Sequence, residues 1–294
     1  MVRILSFLIF LGLFFGCNPK NTNQKIANKQ IVTVTIEPQK YFVDRISGNK
    51  IEVNVMVPQG SDPHVYEPTA KQMKDLSNSR IYFRIGHIEF EEAWIEKFAS
   101  INPTMKIVDL SSTTDLIKPE EIEHDNDHDH SHGIDPHIWV SPKEVRKMCS
   151  SIYESLVETF PEHKSEYETN YLKLTSDIDS IDNAIRVKLE PYKRKKIMIF
   201  HPTLAYFARD YQMEQLAIEI DGKEPTAQNI QKVIEIAKQE NIRIFFVQKQ
   251  FSKNNAEVIA KEINGQVIQI DPLDYDWLNT MSVISNEIVN GYSD

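Results

Sequence analysis

Between Pro161 and Pro191 the chain carries neither glycine nor proline, and its apolar residues recur at Tyr167, Tyr171, Leu174, Ile178, Ile181, Ile185 and Leu189. Spacings of three and four put these side chains on one face of a helix. At 1.5 Å per residue that helix runs about 40 Å, the width of a small domain. A helix this long spans between other bodies, so what flanks it decides the fold.

Both flanks alternate strand and helix signals. Before it, Ile31–Ile36, Ile51–Val57, Ile81–Ile85 and Lys106–Leu110 are short β-rich runs, separated by helical stretches at Gln39–Ile46, Thr69–Asn78 and Phe90–Ala99. After it, Lys196–Phe200, Gln215–Ile220, Arg243–Val247 and Gln266–Ile270 alternate with Leu204–Tyr211, Thr226–Gln239, Asn254–Ile263 and Trp277–Val289. Short apolar strands separated by helices make parallel sheets covered on both faces. The prediction is an α/β fold: two parallel-sheet lobes, residues 31–140 and 191–294, bridged by a helical segment 141–190 that contains the long rigid helix. Ser141 before Pro142 marks a helix start, as N-cap and first-turn proline.

The first thirty residues belong to neither lobe. Met1-Val2-Arg3 is a short positive start, and Ile4–Phe15 is apolar but too short for a bilayer core that needs ~20 helical residues. Residues 1–16 read as a secretion signal. Gly16-Cys17 is the junction that bacterial lipoprotein processing uses, which makes Cys17 the predicted lipid anchor on the cell membrane, on its periplasmic or extracytoplasmic side. An ordinary secretory signal with an incidental Cys17 is the alternative. Residues 17–30 follow as a polar tether with little to bury. A lipidated Cys17 leaves Cys149 without a disulfide partner, and a buried core position is expected for it. The net charge of -10 argues against nucleic acid, whose phosphates would be repelled.

In parallel α/β sheets ligands gather beyond the carboxyl ends of the strands. Four metal-capable side chains fall at such places. His64 follows the strand ending at Val57, His201 directly follows Ile197–Phe200, and Asp271 directly follows Val267–Ile270. His137 lies in Asp135-Pro136-His137, just before the second half of the chain. Three imidazoles and a carboxylate suit zinc in a near-tetrahedral shell. The prolines before His64 and His137 stiffen their loops, which lowers the entropy lost when each ring is fixed.

The segments Gly60-Ser-Asp-Pro-His64-Val-Tyr-Glu-Pro-Thr69, Asp135-Pro-His137-Ile-Trp-Val-Ser-Pro142, His201-Pro-Thr-Leu-Ala-Tyr-Phe207, Asp221-Gly-Lys-Glu-Pro225 and Ile270-Asp271-Pro-Leu273 resemble, in order, the motif series of the metal-binding lipoproteins of zinc and manganese ABC importers. The resemblance implies capture of the ion in the interlobe cleft by His64, His137, His201 and Asp271, then delivery to a permease driven by a cytoplasmic ATPase, by a chain that is a monomer and not an enzyme. Members that carry histidine at the third position tend to take zinc, those with a carboxylate manganese. His201 therefore favours zinc, as nitrogen donors do on chemical grounds, with manganese as the alternative. Such zinc receptors also often carry a His-rich loop where this chain has residues 121–133, in which His124, His128, His130 and His132 interleave with aspartates. That loop is expected to gather metal weakly; a solvated acidic linker is its bland alternative.

Three lesser features remain. His87, in Gly86-His87-Ile88-Glu89-Phe90-Glu91, departs from the family pattern and is either an extra ligand or a surface residue; His163 is expected at the surface. Tyr66, Trp139 and Tyr206 are expected to wall the site or pack in the core. Two rival functions are a zinc hydrolase and a lipoprotein adhesin with structural metal. Catalytic zinc needs an open coordination position, which four protein ligands would not leave, and no HExxH cluster occurs.

Overall fold

A computed structural model describes residues 30–118, 133–219, 225–251 and 253–292. The leader, Cys17, the tether up to residue 29, the histidines at 124, 128, 130 and 132, and most of the 221–225 motif lie outside these residues.

The first lobe is built on β1 (Ile31–Val34), β2 (Glu52–Val55), β3 (Ile81–Arg84) and β4 (Lys106–Asp109), joined by α1 (Glu37–Ser47), α2 (Ala70–Leu76) and α3 (Glu89–Ile101). All pairings are parallel, in the order β2-β1-β3-β4. Gly48 ends α1 in the left-handed region at φ 64°, as a glycine C-cap does. Thr69 accepts from Gln72 N and Gln72 Oε1 accepts from Thr69 N, a reciprocal cap that starts α2.

Two helices follow, α4 (Pro142–Thr159) and α5 (Lys164–Leu189). Ser141 Oγ accepts from Glu144 N at 3.0 Å, with Pro142 in the first turn, as the sequence pattern required. The second lobe repeats the plan with β5 (Lys196–Ile199), α6 (Ala205–Asp210), β6 (Glu214–Ala217), α7 (Ala227–Gln239), β7 (Ile244–Gln248), α8 (Lys253–Glu262), β8 (Gln266–Ile270) and α9 (Trp277–Tyr292). Its sheet is again all parallel, ordered β6-β5-β7-β8.

The 26-residue α5 touches both lobes. Near its start Asn170 Nδ2 donates to Ile46 O of α1 at 3.2 Å, and near its end Lys188 Nζ donates to Ser285 Oγ of α9 at 3.2 Å. Tyr167, Leu174, Ile178, Ile185 and Leu189 of the predicted stripe are buried, while Tyr171 and Ile181 pack at its margin. A short 3₁₀ turn at Pro161–His163 precedes the helix, and His163 is half-buried against Tyr167 rather than free at the surface. Cys149 of α4 is buried.

A second tie joins the lobes in front of α5. Trp277 Nε1 donates to Trp139 O at 2.6 Å, and Trp139 Nε1 donates to Pro272 O at 3.0 Å. The Trp277 ring also meets Phe42 of α1 edge-on, centroids 5.5 Å apart. All three side chains are buried, so one apolar core runs through both lobes. Among the described residues no helix is long and apolar enough to cross a membrane.

Candidate metal centre

Two of the predicted histidines are delivered by the same local device. In Asp62-Pro63-His64 and Asp135-Pro136-His137 the aspartate Oδ1 accepts the backbone N–H of the histidine two residues on, at 2.9 and 2.8 Å. These are Asx-turns stiffened by an intervening proline. His201 is delivered differently, straight off the end of β5. Gln248, the last residue of β7, clamps it there: Gln248 Nε2 donates to His201 O at 2.6 Å and Gln248 Oε1 accepts from His201 N at 3.3 Å. β5 and β7 are neighbours at the point where strand order reverses, the usual mouth of an α/β sheet.

The three imidazoles meet. One ring nitrogen from each of His64, His137 and His201 lies within 4.8 Å of the others. His64 Nε2 stands 3.2 Å from His201 Nε2. Two nitrogens bound tetrahedrally to one zinc at 2.0–2.1 Å would stand roughly 3.3 Å apart. The rings line a small cavity together with Pro63, Trp139, Phe251 and Leu273, and the Phe251 ring stacks on His201 at 5.3 Å.

The outward nitrogen of each ring meets a carboxylate. His64 Nδ1 lies 2.6 Å from Glu89 Oε2, His137 Nδ1 lies 2.8 Å from Asp135 Oδ1, and His201 Nδ1 lies 2.9 Å from Glu219 Oε1. An ionised carboxylate only accepts, so each Nδ1 carries the proton and each Nε2 turns a lone pair inward. Two such nitrogens at 3.2 Å repel each other unless a proton or a metal cation stands between them. Carboxylate-backed imidazoles are also more basic, hence stronger, metal ligands.

Local fields divide the rings. Burial pulls the His64 imidazole down, but the hydrogen bond and charge of Glu89, with Asp62 and Glu219 beyond, outweigh it and hold it above its ordinary value. Burial leads at His137 and, with the neighbouring His201 and His64, keeps that ring below its ordinary value despite Asp135. The hydrogen bond from His64 holds Glu89 low, while Asp135 is lowered because the charge and hydrogen bonds of His137 overcome its burial.

Asp271 does not join the converging donors. It follows β8 as predicted, but its Oδ1 accepts from Leu273 N at 3.1 Å, making Asp271-Pro272-Leu273 a third turn of the same kind. Among the described residues its Oδ2 is buried without a hydrogen-bond partner, with Lys249 Nζ 3.3 Å away. His87 adopts a left-handed φ of 63° and stands apart from the three rings. Of the three aromatic residues expected to wall the site, Trp139 lines the cavity and Tyr66 and Tyr206 do not. Tyr206 packs behind it, its hydroxyl donating to Asp135 O at 2.7 Å, and Tyr66 donates to Gln72 Oε1 at 2.9 Å. The residues missed in the sequence are Glu89, Glu219 and Gln248. Each sits on a different element from the histidine it serves, so no local spacing announces it.

Comparison with known proteins points the same way. The family model described as zinc-uptake complex component A, periplasmic (ZnuA), matches residues 32–291. The high-affinity zinc uptake system protein ZnuA of Bacillus subtilis (strain 168) is 26% identical over 277 residues, 91% of this chain and 83% of that protein. The zinc-binding lipoprotein AdcA of Streptococcus pneumoniae (strain ATCC BAA-255 / R6) is 28% identical over 262 residues; the match takes in 86% of this chain but only 52% of AdcA. A crystal structure of ZnuA superposes with a TM-score of 0.83 at 35% identity, covering 90% of this chain and all of that one.

Proposed function

Because the chain belongs to the ZnuA family of zinc-uptake components, we propose that it is an extracytoplasmic receptor that captures zinc between its lobes and hands it to an ABC importer permease. The observation that carries this reading is the convergence of three carboxylate-backed imidazole nitrogens on one point. Three nitrogen donors favour zinc over manganese, whose harder ion prefers oxygen. The rings of His137 and His201 are almost covered, whereas the His64 side chain keeps 22% of its surface. Metal enters and leaves on the His64 side.

We assign the fourth donor to Asp271, whose buried Oδ2 has no hydrogen bond among the described residues and faces only the Lys249 ammonium. Cys17 is the proposed lipid anchor, His124, His128, His130 and His132 a weak metal-gathering segment, and the receptor a monomer without catalytic activity. Zinc titration of the mature protein against a competing chelator tests the central assignment. One tight zinc per chain is expected, and a stoichiometry of zero would end the proposal. Manganese winning at equal free concentration would reassign the metal. Removing residues 121–133 should spare the tight site and delete only weaker binding.

A further inference from the structure

We infer that Glu89 is the positioning residue that sets how fast the site exchanges its ion, by holding His64 in its ligating orientation from an exposed seat. The inference rests on His64 being a ligand, as proposed above. Three observations carry it.

The three carboxylates behind the histidines are unequal. Asp135 and Glu219 keep 18% and 7% of their side-chain surface, and they back rings that are themselves covered. Glu89 keeps 64%, and it backs the most exposed of the three rings. Water competes for the Glu89–His64 contact as it does for no other pair at the centre.

His64 is also the most exposed of the three, and few contacts hold it. Its backbone is held by the turn to Asp62, and the neighbouring loop by Ser61 N donating to Pro58 O at 3.1 Å. Beyond the ring of His201, Glu89 is the one residue distant in the chain that is seen to hydrogen-bond the His64 side chain, among the described residues. Remove it and the imidazole can turn about its side-chain bonds into the opening.

Glu89 itself is firmly placed. It is the first residue of α3, and the turn leading into it is pinned from below by Glu91, whose buried carboxylate accepts from Ile85 N and Gly86 N, each at 2.7 Å. Gly86 has φ 91°, and a Cβ there would stand 2.5 Å from Ser111 Oγ and 2.7 Å from Asp109 Oδ1, so any larger residue would strain the turn. The Gly86–Glu91 stretch that departs from the family pattern is thus a braced arm that presents a carboxylate to the exposed histidine. A positioning partner of this kind is worth 10–100-fold in metal affinity. Here the loss falls on release, because a ring that swings out opens the shell towards water.

The test compares wild type, Glu89→Ala, Glu89→Gln and the neighbouring surface change Glu92→Ala in the mature protein. Zinc release into excess chelator is timed by stopped flow, and the Co²⁺-substituted absorption spectrum reports the coordination shell. Glu89→Ala should release zinc at least tenfold faster, still bind one ion and keep wild-type thermal stability without metal. Glu89→Gln, which retains an acceptor, should fall between, and Glu92→Ala should match wild type. Release at the wild-type rate from Glu89→Ala would overturn the inference while leaving the site intact. Complete loss of tight zinc would also overturn it, by making Glu89 a ligand. A wild type that binds no zinc would instead remove the reading on which it rests.

Discussion

His64 Nε2 and His201 Nε2 face each other at 3.2 Å although 137 positions of chain and the whole interlobe seam separate them. Each lies in a loop beyond a strand of a different sheet, so a cation between them ties loop to loop across the cleft. Binding that is confined to the folded state adds RT ln(1 + [L]/Kd) to stability, roughly 4 kcal/mol when free zinc is a thousandfold above Kd. Thermal unfolding with zinc against chelator should show a rise of several degrees. His201→Ala and His64→Ala should each abolish that rise; an undiminished rise in either variant would mean that zinc binds elsewhere.

Asp271 offers a cleaner substitution than most ligand candidates. Asn at this position keeps an oxygen to accept from Leu273 N, so the turn survives and only the charge facing Lys249 and the site is lost. Asp271→Asn should weaken zinc binding at least tenfold with little change in the melting temperature of the metal-free protein. Equal affinity would leave Asp271 with the structural role that its counterparts Asp62 and Asp135 also play.

Glu91 gives the metal-free protein a pH signature. Burial raises its carboxyl to about 7, although Thr35 and the Ile85 and Gly86 amides favour the charged form. The folded state therefore holds this proton more tightly than the unfolded chain does. Its contribution is present in full below the unfolded pKa near 4.5 and is lost as pH rises through about 7. The full swing is on the order of 3 kcal/mol. His137, held low, acts in the opposite sense as pH falls. The measurement is accordingly the difference between wild type and Glu91→Gln in urea unfolding at pH 5 and pH 8. Wild type should lose stability relative to the variant as pH rises, and a pH-independent difference would contradict this account.

The tryptophan clasp should dominate the stability of the seam. Trp277→Ala empties a fully buried site and strands the Trp139 carbonyl, a change worth about 3–5 kcal/mol. Trp277→Phe keeps most of the ring but loses the donor, for about 1–3 kcal/mol. Denaturant midpoints of the two variants should rank in that order.

How far these features could be read in advance depends on their range. Strands such as Ile31–Val34, within the expected run Ile31–Ile36, and caps such as Ser141-Pro142 and Thr69 are set by neighbours a few residues away, and they stand where their patterns put them. The three histidines were legible for a similar reason, since Asp-Pro-His turns and strand ends are local signals. Their supports were not. Glu89 reaches back 25 positions to His64, and Glu219 serves His201 from the end of the next strand. Such pairings exist only once the sheet has ordered its strands. Asp271 shows the converse: its Asp-Pro-Leu spacing repeats that of the two histidine turns, and the hydrogen bond it makes is the one that spacing specifies.

The spanning helix α5, locked to α1 at one end and α9 at the other, has a consequence for cargo transfer. A receptor that parted its halves like a clamshell would have to pull apart the paired indoles and expose them to water. With the frame braced in this way, loading and unloading fall to the loops at the mouth. With His64 as a ligand, as proposed, a docking permease need only disturb a few residues around position 64 to make the ion leave.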